Sequence, residues 1–243
     1  MVSGPFDKLS FPKFESEYNF EQRILIVWFE RQFSQTFYTP RNCSNACTLI
    51  AILMAAKCHH TKLKINHPQK SLNTELIYML DKSMRQGNHI HEQLRQNNVL
   101  KHVNLSVPEA IKFGEGETQG MVEWKSPVYT QSMSKYLYEH LKSSHKLWMK
   151  MSKNKRPDNL FVVLVADSRS VLFVFQEQTD TITLIDSHQH SQTNGAIIAV
   201  CRTNRMRSLC EWFTQMTIMF YKCDPHLYEL SFLYFEKEVI QEN

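Results

Sequence analysis

Glycine and proline are scarce in this 243-residue chain, at 6 and 8 residues, while 42% of positions are hydrophobic. That balance excludes a disordered chain and describes a globular one able to bury a sizeable core. Long apolar runs are missing too. None approaches the ~18 residues of a membrane-spanning helix, so no membrane partner is expected. MVSGPFDKLSFPKF, at the start, has neither the basic nor the apolar region of a signal peptide. A reducing compartment, cytoplasm or nucleus, is the corresponding expectation, with free thiols rather than a disulfide framework. Charge of one sign is also lacking. The 28 basic and 24 acidic residues leave +4, which neither requires nor excludes an acidic partner. The basic stretch KMSKNKR (150–156) reads as a solvated linker. Interleaved aromatics and a nucleic-acid-binding motif are absent, so nucleic acid is not an expected partner.

A metal-ligand pattern is missing as well. The six cysteines stand at 43, 47, 58, 201, 210 and 223, with no C-x2-C pair. Cys58-His59-His60 is separated from Cys43 and Cys47 by TLIAILMAAK, which reads as a buried helix. Such a helix would hold the two groups about 16 Å apart, so no metal and no cofactor is expected. Cys201 and Cys210 lie in apolar surroundings and read as buried thiols.

What is present falls into two parts. Residues 1–20 read as an irregular arm. A single domain over 21–243 is expected, with a mainly helical lobe (21–151) and a β-rich lobe (160–243). EQRILIVWFERQF (21–33) is a strand or short helix. NCSNACTLIAILMAAKC (42–58) is a buried helix, apolar and mostly unbranched. SLNTELIYMLDKSMRQG (71–87) is amphipathic, with Gly87 as its stop. HIHEQLRQNNVL and VPEAIKF are short helices, and His89 and His91 start the first of them. GEGETQG (114–120) is a flexible loop, and 131–151 a longer helix in which Trp148, like Trp124 before it, is a core or interface residue. LFVVLVAD, SVLFVFQE and TITLIDSH (160–188) are three strands with short breaks, an antiparallel meander. A fourth strand over 195–201, a helix over 205–222 and a last strand over 227–238 complete an α+β arrangement.

The third strand of the meander runs into LIDSHQHS (184–191). Alternate side chains of a strand share a face, so Asp186 and His188 would stand together. A carboxylate beside an imidazole accepts its N–H, fixes its tautomer and stabilises the imidazolium. His190 reads as a turn residue, and Asn194-Gly195 as a turn with Gly at positive φ.

The pair lacks a nucleophile, and RNCSNACTLIAIL offers one. A Cys in the first turn of a buried helix feels the positive end of the helix dipole, which favours thiolate. A His from a separate sheet can take its proton. If Asn42 caps the helix, Cys43 is at its first position; if Asn45 caps it, Cys47 is. Cys43 is preferred because the dipole effect falls off within a turn, and Cys47 is the second choice.

A helix opening on Cys, followed about 145 positions later by a strand ending in Asp-x-His, resembles the herpesvirus large-tegument-protein deubiquitinases, which are papain-like cysteine peptidases. The resemblance is confined to roughly 35–58 and 160–200. It implies a papain-like fold, a helical N-terminal part packed on a mostly antiparallel sheet. It implies peptidase activity with Cys43 as nucleophile, His188 as general base and acid, and Asp186 orienting His188. It also implies an oxyanion-binding Gln ahead of the Cys; Gln32 and Gln35 are available, and Gln35 is preferred. Ubiquitin or a ubiquitin-like protein is the implied partner. The alternative is a catalytically inactive papain-like fold that binds a protein partner through the same cleft.

Overall fold

The computed structural model describes residues 11–39, 43–153 and 156–236. Among these, fourteen segments form regular strands and α-helices. They are β1 (Phe14–Asn19), β2 (Ile24–Glu30), α1 (Cys47–His60), α2 (Thr74–Gln96), α3 (Val107–Phe113), β3 (Met121–Lys125), β4 (Val128–Tyr129), α4 (Met133–Met149), β5 (Asn159–Ala166), β6 (Arg169–Gln176), β7 (Thr181–Asp186), β8 (Asn194–Arg202), α5 (Met206–Tyr221) and β9 (Tyr228–Phe235). The chain is α+β, as expected. Nine strands make one sheet in the order β1-β2-β8-β7-β6-β5-β9-β3, with β4 also paired to β9. Every pairing is antiparallel. The β5–β6–β7–β8 meander is the expected one. β2 docks on β8 and β3 on β9, so the sheet joins the two expected lobes.

Helices cover both faces of the sheet. Alternation along each strand sends one set of side chains to each side. Phe161 and Val163 of β5, Leu172 and Val174 of β6 and Ile185 of β7 pack under α1, α2 and α3. Leu160, Val162, Leu164, Phe173, Ile182 and Leu184 face α4 and α5. α1 is buried almost all round, from Cys47 to Cys58 with the exception of Lys57, as a helix between a sheet and other helices must be. No helix among the described residues is long and apolar enough to cross a membrane.

Three local expectations are corrected, each for a packing reason. α1 begins at Cys47, not at 42. Helix α2 does not stop at Gly87 but runs on to Gln96. A Cβ at Gly87 would stand 2.6 Å from Ile50 Cγ1 and 3.2 Å from Ile50 N, so the glycine lets α2 approach α1 rather than ending a helix. Gly195 lies inside β8, and its φ is not positive. A Cβ there would stand 2.3 Å from the Glu30 carbonyl oxygen and 2.5 Å from that of Phe33. Here too the glycine serves close backbone approach, not a turn.

Other expectations meet detail. VPEAIKF is α3, closed by a capping box between Ser106 and Glu109. The loop at 114–120 contains a single 3-10 turn, Glu115–Thr118. Within the expected N-terminal arm, residues 14–19 form the edge strand β1; residues 1–10 lie outside the described residues.

Candidate active site

Four segments meet at one end of the sheet: the turn after β7, the first turn of α1, the loop after β2, and the start of β6. Strand β7 ends at Asp186, so His188 lies just beyond it. The two side chains are neighbours through a tight turn, not through strand alternation. Asp186 Oδ1 accepts the backbone N–H of His188 at 2.9 Å and faces His188 Nδ1 at 2.7 Å. This side-chain-to-backbone bond two residues on is the Asx turn that Asp favours. With Nδ1 held by Asp186, the imidazole nitrogen left for a second partner is Nε2.

Cys47 is the first residue of α1, and the imidazole of His188 lies close enough to its thiol for each to shift the other's titration. Its position follows from how the preceding segment is pinned. Thr39 Oγ1 donates to the Cys43 carbonyl at 2.9 Å, and Ser44 Oγ donates to Asn88 Oδ1 at 2.6 Å. Ser44 Oγ also accepts the Ala46 N–H at 3.2 Å, and Asn45 Nδ2 donates to Asn104 Oδ1 at 3.0 Å. These bonds hold 43–46 out of the helix. No side chain caps α1, so the N–H groups of its first turn keep their hydrogens available beside the thiol.

The structure therefore brings Cys47, the second choice from sequence, to His188, and not Cys43. Cys43 is exposed. It lines a different groove, with Tyr38, Asn45, Arg85 and His89. Three residues of non-helical chain, 44–46, separate it from the start of α1 and the dipole on which the preference for it rested.

The charges of the site are set by burial and by neighbours. Burial alone would raise the Cys47 pKa, but hydrogen bonds from His188 and Ser170 and the His188 charge outweigh it and bring the thiol below its usual 9.0. Burial alone would lower His188. Attraction and hydrogen bonding to Asp186, joined by Cys47, overcome it and raise the imidazole to about 10. Asp186 would be raised by burial, yet the charges that His190 and His188 carry at the acid pH where it titrates, with the bonds from His188, hold it at about 2. Each group favours the charged form of the next, which describes a thiolate–imidazolium pair backed by a carboxylate.

Gln35, the chosen glutamine, is 1% exposed and ties the site together. Its backbone N–H donates to the Ser187 carbonyl at 2.8 Å, and its Oε1 accepts from Ser187 Oγ at 2.7 Å. Its Nε2 donates to the Ser44 carbonyl at 3.3 Å. One side chain thus connects the segment leading into Cys47 with the residue between Asp186 and His188. Gln32 has no such place among the described bonds.

Sequence reasoning missed three polar supports. Asn88, on α2, accepts from Ser44 and donates to the Gln35 carbonyl at 2.8 Å. Ser170, at the start of β6, pairs with Thr48 Oγ1 at 2.9 Å and reaches the Cys47 thiol. His190 is buried beside Asp186. Asn88 and Ser170 carry no local signal and reach the site through the fold, whereas His190, read from the sequence as a turn residue, lies only four positions from Asp186. An open cleft of about 350 Å³ leads to Cys47, with Asn104, Leu105, Val128, Leu227 and Glu229 among its walls. Among the described residues no cluster of His, Cys, Asp and Glu has the makings of a metal site.

A Cys-bearing helix is buried against an antiparallel sheet with His188 just past the end of one strand, in the α+β arrangement expected from the sequence. No protein-family model matches the chain, and no curated protein matches it in sequence. Solved structures similar to it in fold include the ubiquitin-specific protease encoded by a murine cytomegalovirus tegument protein, in complex with a ubiquitin-based suicide substrate. That match has 12% identity, covers 88% of each chain and has a TM-score of 0.49. The Pseudomonas avirulence protein AvrPphB is another, at 8% identity, 76% of this chain, 91% of that one and a TM-score of 0.47. With identity and TM-score this low, the chemistry has to be read from this chain's own side chains.

Proposed function

We propose that the chain is a papain-like cysteine peptidase that removes ubiquitin or a ubiquitin-like modifier. The observation that carries it is the buried Asp186–His188 pair set against a thiol at the uncapped start of α1. Cys47 Sγ attacks the carbonyl carbon of the scissile bond. The oxyanion that forms is held by N–H groups of the first turn of α1 and by the second amide hydrogen of Gln35. His188 gives its proton to the leaving amine, and the C–N bond breaks to leave a thioester on Cys47. A water then attacks the thioester, His188 takes its proton, and the thiolate leaves. Asp186 keeps His188 in the tautomer with Nε2 toward Cys47.

The modifier comes from the Asp-x-His order and the Cys-opened helix, which this chain shares with the herpesvirus tegument deubiquitinases. One similar fold was solved with a ubiquitin-based suicide substrate, in keeping with that choice. The test is turnover of ubiquitin carrying a fluorophore in amide linkage at its C-terminus. Release by the wild type, lost in Cys47→Ala, is the expected result. No release from folded protein, while it binds a partner through the Cys47 cleft, would replace this reading with the inactive scaffold.

A further inference from the structure

Asp186 commits only one of its two oxygens to His188. The other, Oδ2, has a neighbour that the mechanism above does not use. His190 Nε2 lies 3.4 Å from it, on a side chain with no exposed surface. That nitrogen makes no hydrogen bond of ordinary geometry, an uncommon condition for a buried ring nitrogen. The ring is wedged edge-on against Trp28 and Phe220, each centroid 5.9 Å away. It has little freedom to turn elsewhere.

The other ring nitrogen has a partner. His190 Nδ1 is 2.7 Å from the hydroxyl of Tyr221, at the end of α5. Burial, with the charge of Asp186, pushes the Tyr221 phenol above its usual range against the pull of Arg169, so its oxygen carries a proton that it can donate. With Tyr221 as donor, Nδ1 accepts, and a neutral imidazole that accepts at Nδ1 holds its hydrogen on Nε2, the nitrogen that faces Asp186. His190 is neutral: burial lowers it to about 4, with the charges of His188 and Arg169, against the attraction of Asp186. Arg169 also stacks over the Tyr221 ring, 3.8 Å from its centroid, and steadies the donor.

We propose that His190, with its tautomer set by Tyr221, is a positioning residue whose Nε2–H faces Asp186 Oδ2 in a long electrostatic contact rather than a hydrogen bond, and so biases the carboxylate to keep Oδ1 on His188. This rests on the peptidase reading above. The order of action is Tyr221 to His190 to Asp186 to His188 to Cys47, through side chains from α5, the turn after β7 and α1. Without the Nε2–H, the carboxylate is anchored through Oδ1 alone, and rotation about its Cβ–Cγ bond loosens the grip on His188 Nδ1.

The experiment compares wild type with His190→Leu, His190→Gln and Tyr221→Phe. A Gln amide places an N–H near the position of Nε2, whereas Leu fills the space without a donor. With the ubiquitin–fluorophore substrate, His190→Leu is expected to lose about ten-fold in kcat with KM held within about two-fold, as for an interaction felt at the reacting groups rather than in binding. His190→Gln recovers most of that loss, and Tyr221→Phe falls between. A second readout needs no substrate. The His188 Nδ1 proton shared with Asp186 gives a far-downfield proton resonance. It is expected in the wild type and His190→Gln and weakened by exchange in His190→Leu, and nitrogen NMR shows His190 neutral with its proton on Nε2. A downfield proton unchanged in His190→Leu, or a His190 proton on Nδ1, overturns the proposal. The same holds if Gln is no better than Leu. If the wild type turns over nothing while the spectra follow this order, the peptidase reading has failed and the positioning role has not.

Discussion

A thiol is a weak nucleophile until something takes its proton, and Cys47 has two aids to that end. The His188 imidazole faces it, and the uncapped start of α1 lies under it. Cys47→Ala should abolish turnover of a ubiquitin amide, while Cys43→Ala should leave kcat/KM within about two-fold, since nothing couples Cys43 to the imidazole. The pH dependence follows from the same pair. The reactive form needs thiolate and imidazolium together, so kcat/KM should rise through the depressed pKa of Cys47 and fall as His188 deprotonates near pH 10. A profile that rises only near 9.0, the ordinary thiol value, would show that Cys47 is not activated. Asp186 and His188 were paired in the sequence through strand alternation, and although the structure pairs them through a tight turn instead, the two-residue spacing serves both. The choice between Cys43 and Cys47 was not legible there. It depends on where α1 starts, and that is decided by Asn88 and Asn104, 44 and 59 residues from the positions they hold.

At the scale of elements, the site is an agreement between helix ends and strand ends. α2 fixes the approach to α1 through Asn88, which holds Ser44 on one side and the Gln35 carbonyl on the other. Asn88→Ala leaves these buried groups unpartnered. It should cost about 1–3 kcal/mol of unfolding free energy and also slow turnover, because α1 and Gln35 lose a common anchor. Denaturant unfolding and kcat on the same preparation check both effects; a loss of stability with kcat untouched would separate Asn88 from the site. Gly87, one residue earlier, makes a purely structural prediction. Its missing Cβ leaves room for Ile50, so Gly87→Ala should destabilise by about 1–3 kcal/mol through overpacking. An unchanged urea midpoint would contradict it. In sequence, Gly87 resembled a helix stop because glycine marks either a helix end or a close approach. Only the position of α1 distinguishes them.

For the whole molecule, the helices on both faces matter because the site draws on both. α1 brings the thiol from one side of the sheet, and Tyr221 on α5 reaches the Asp186 end from the other. The antiparallel meander was readable from β-branched runs with short breaks. The docking of β2 on β8 was not, because that pairing joins distant parts of the chain. Folding links the site's protons to global stability. His188 is raised from 6.5 to about 10, so its stabilisation is complete below 6.5 and lost as pH rises to 10. Cys47 is depressed below 9.0, so its contribution is present above 9.0 and lost as pH falls through its folded value. Between that folded value and 9.0, once above 6.5, the proton kept by the imidazole is the one released by the thiol, and the two dependences cancel. Cys47→Ala removes the cancellation. Relative to wild type, its unfolding free energy should decline with rising pH across this window. Parallel curves would show that the ion pair is absent.

The central claim, a ubiquitin-directed peptidase with Cys47 as its nucleophile, is tested most directly by a ubiquitin probe with a thiol-reactive C-terminal warhead. One covalent adduct is expected in wild type and in Cys43→Ala, and none in Cys47→Ala or His188→Ala. An adduct that persists in Cys47→Ala, or one that disappears in Cys43→Ala with Cys47 intact, would contradict it.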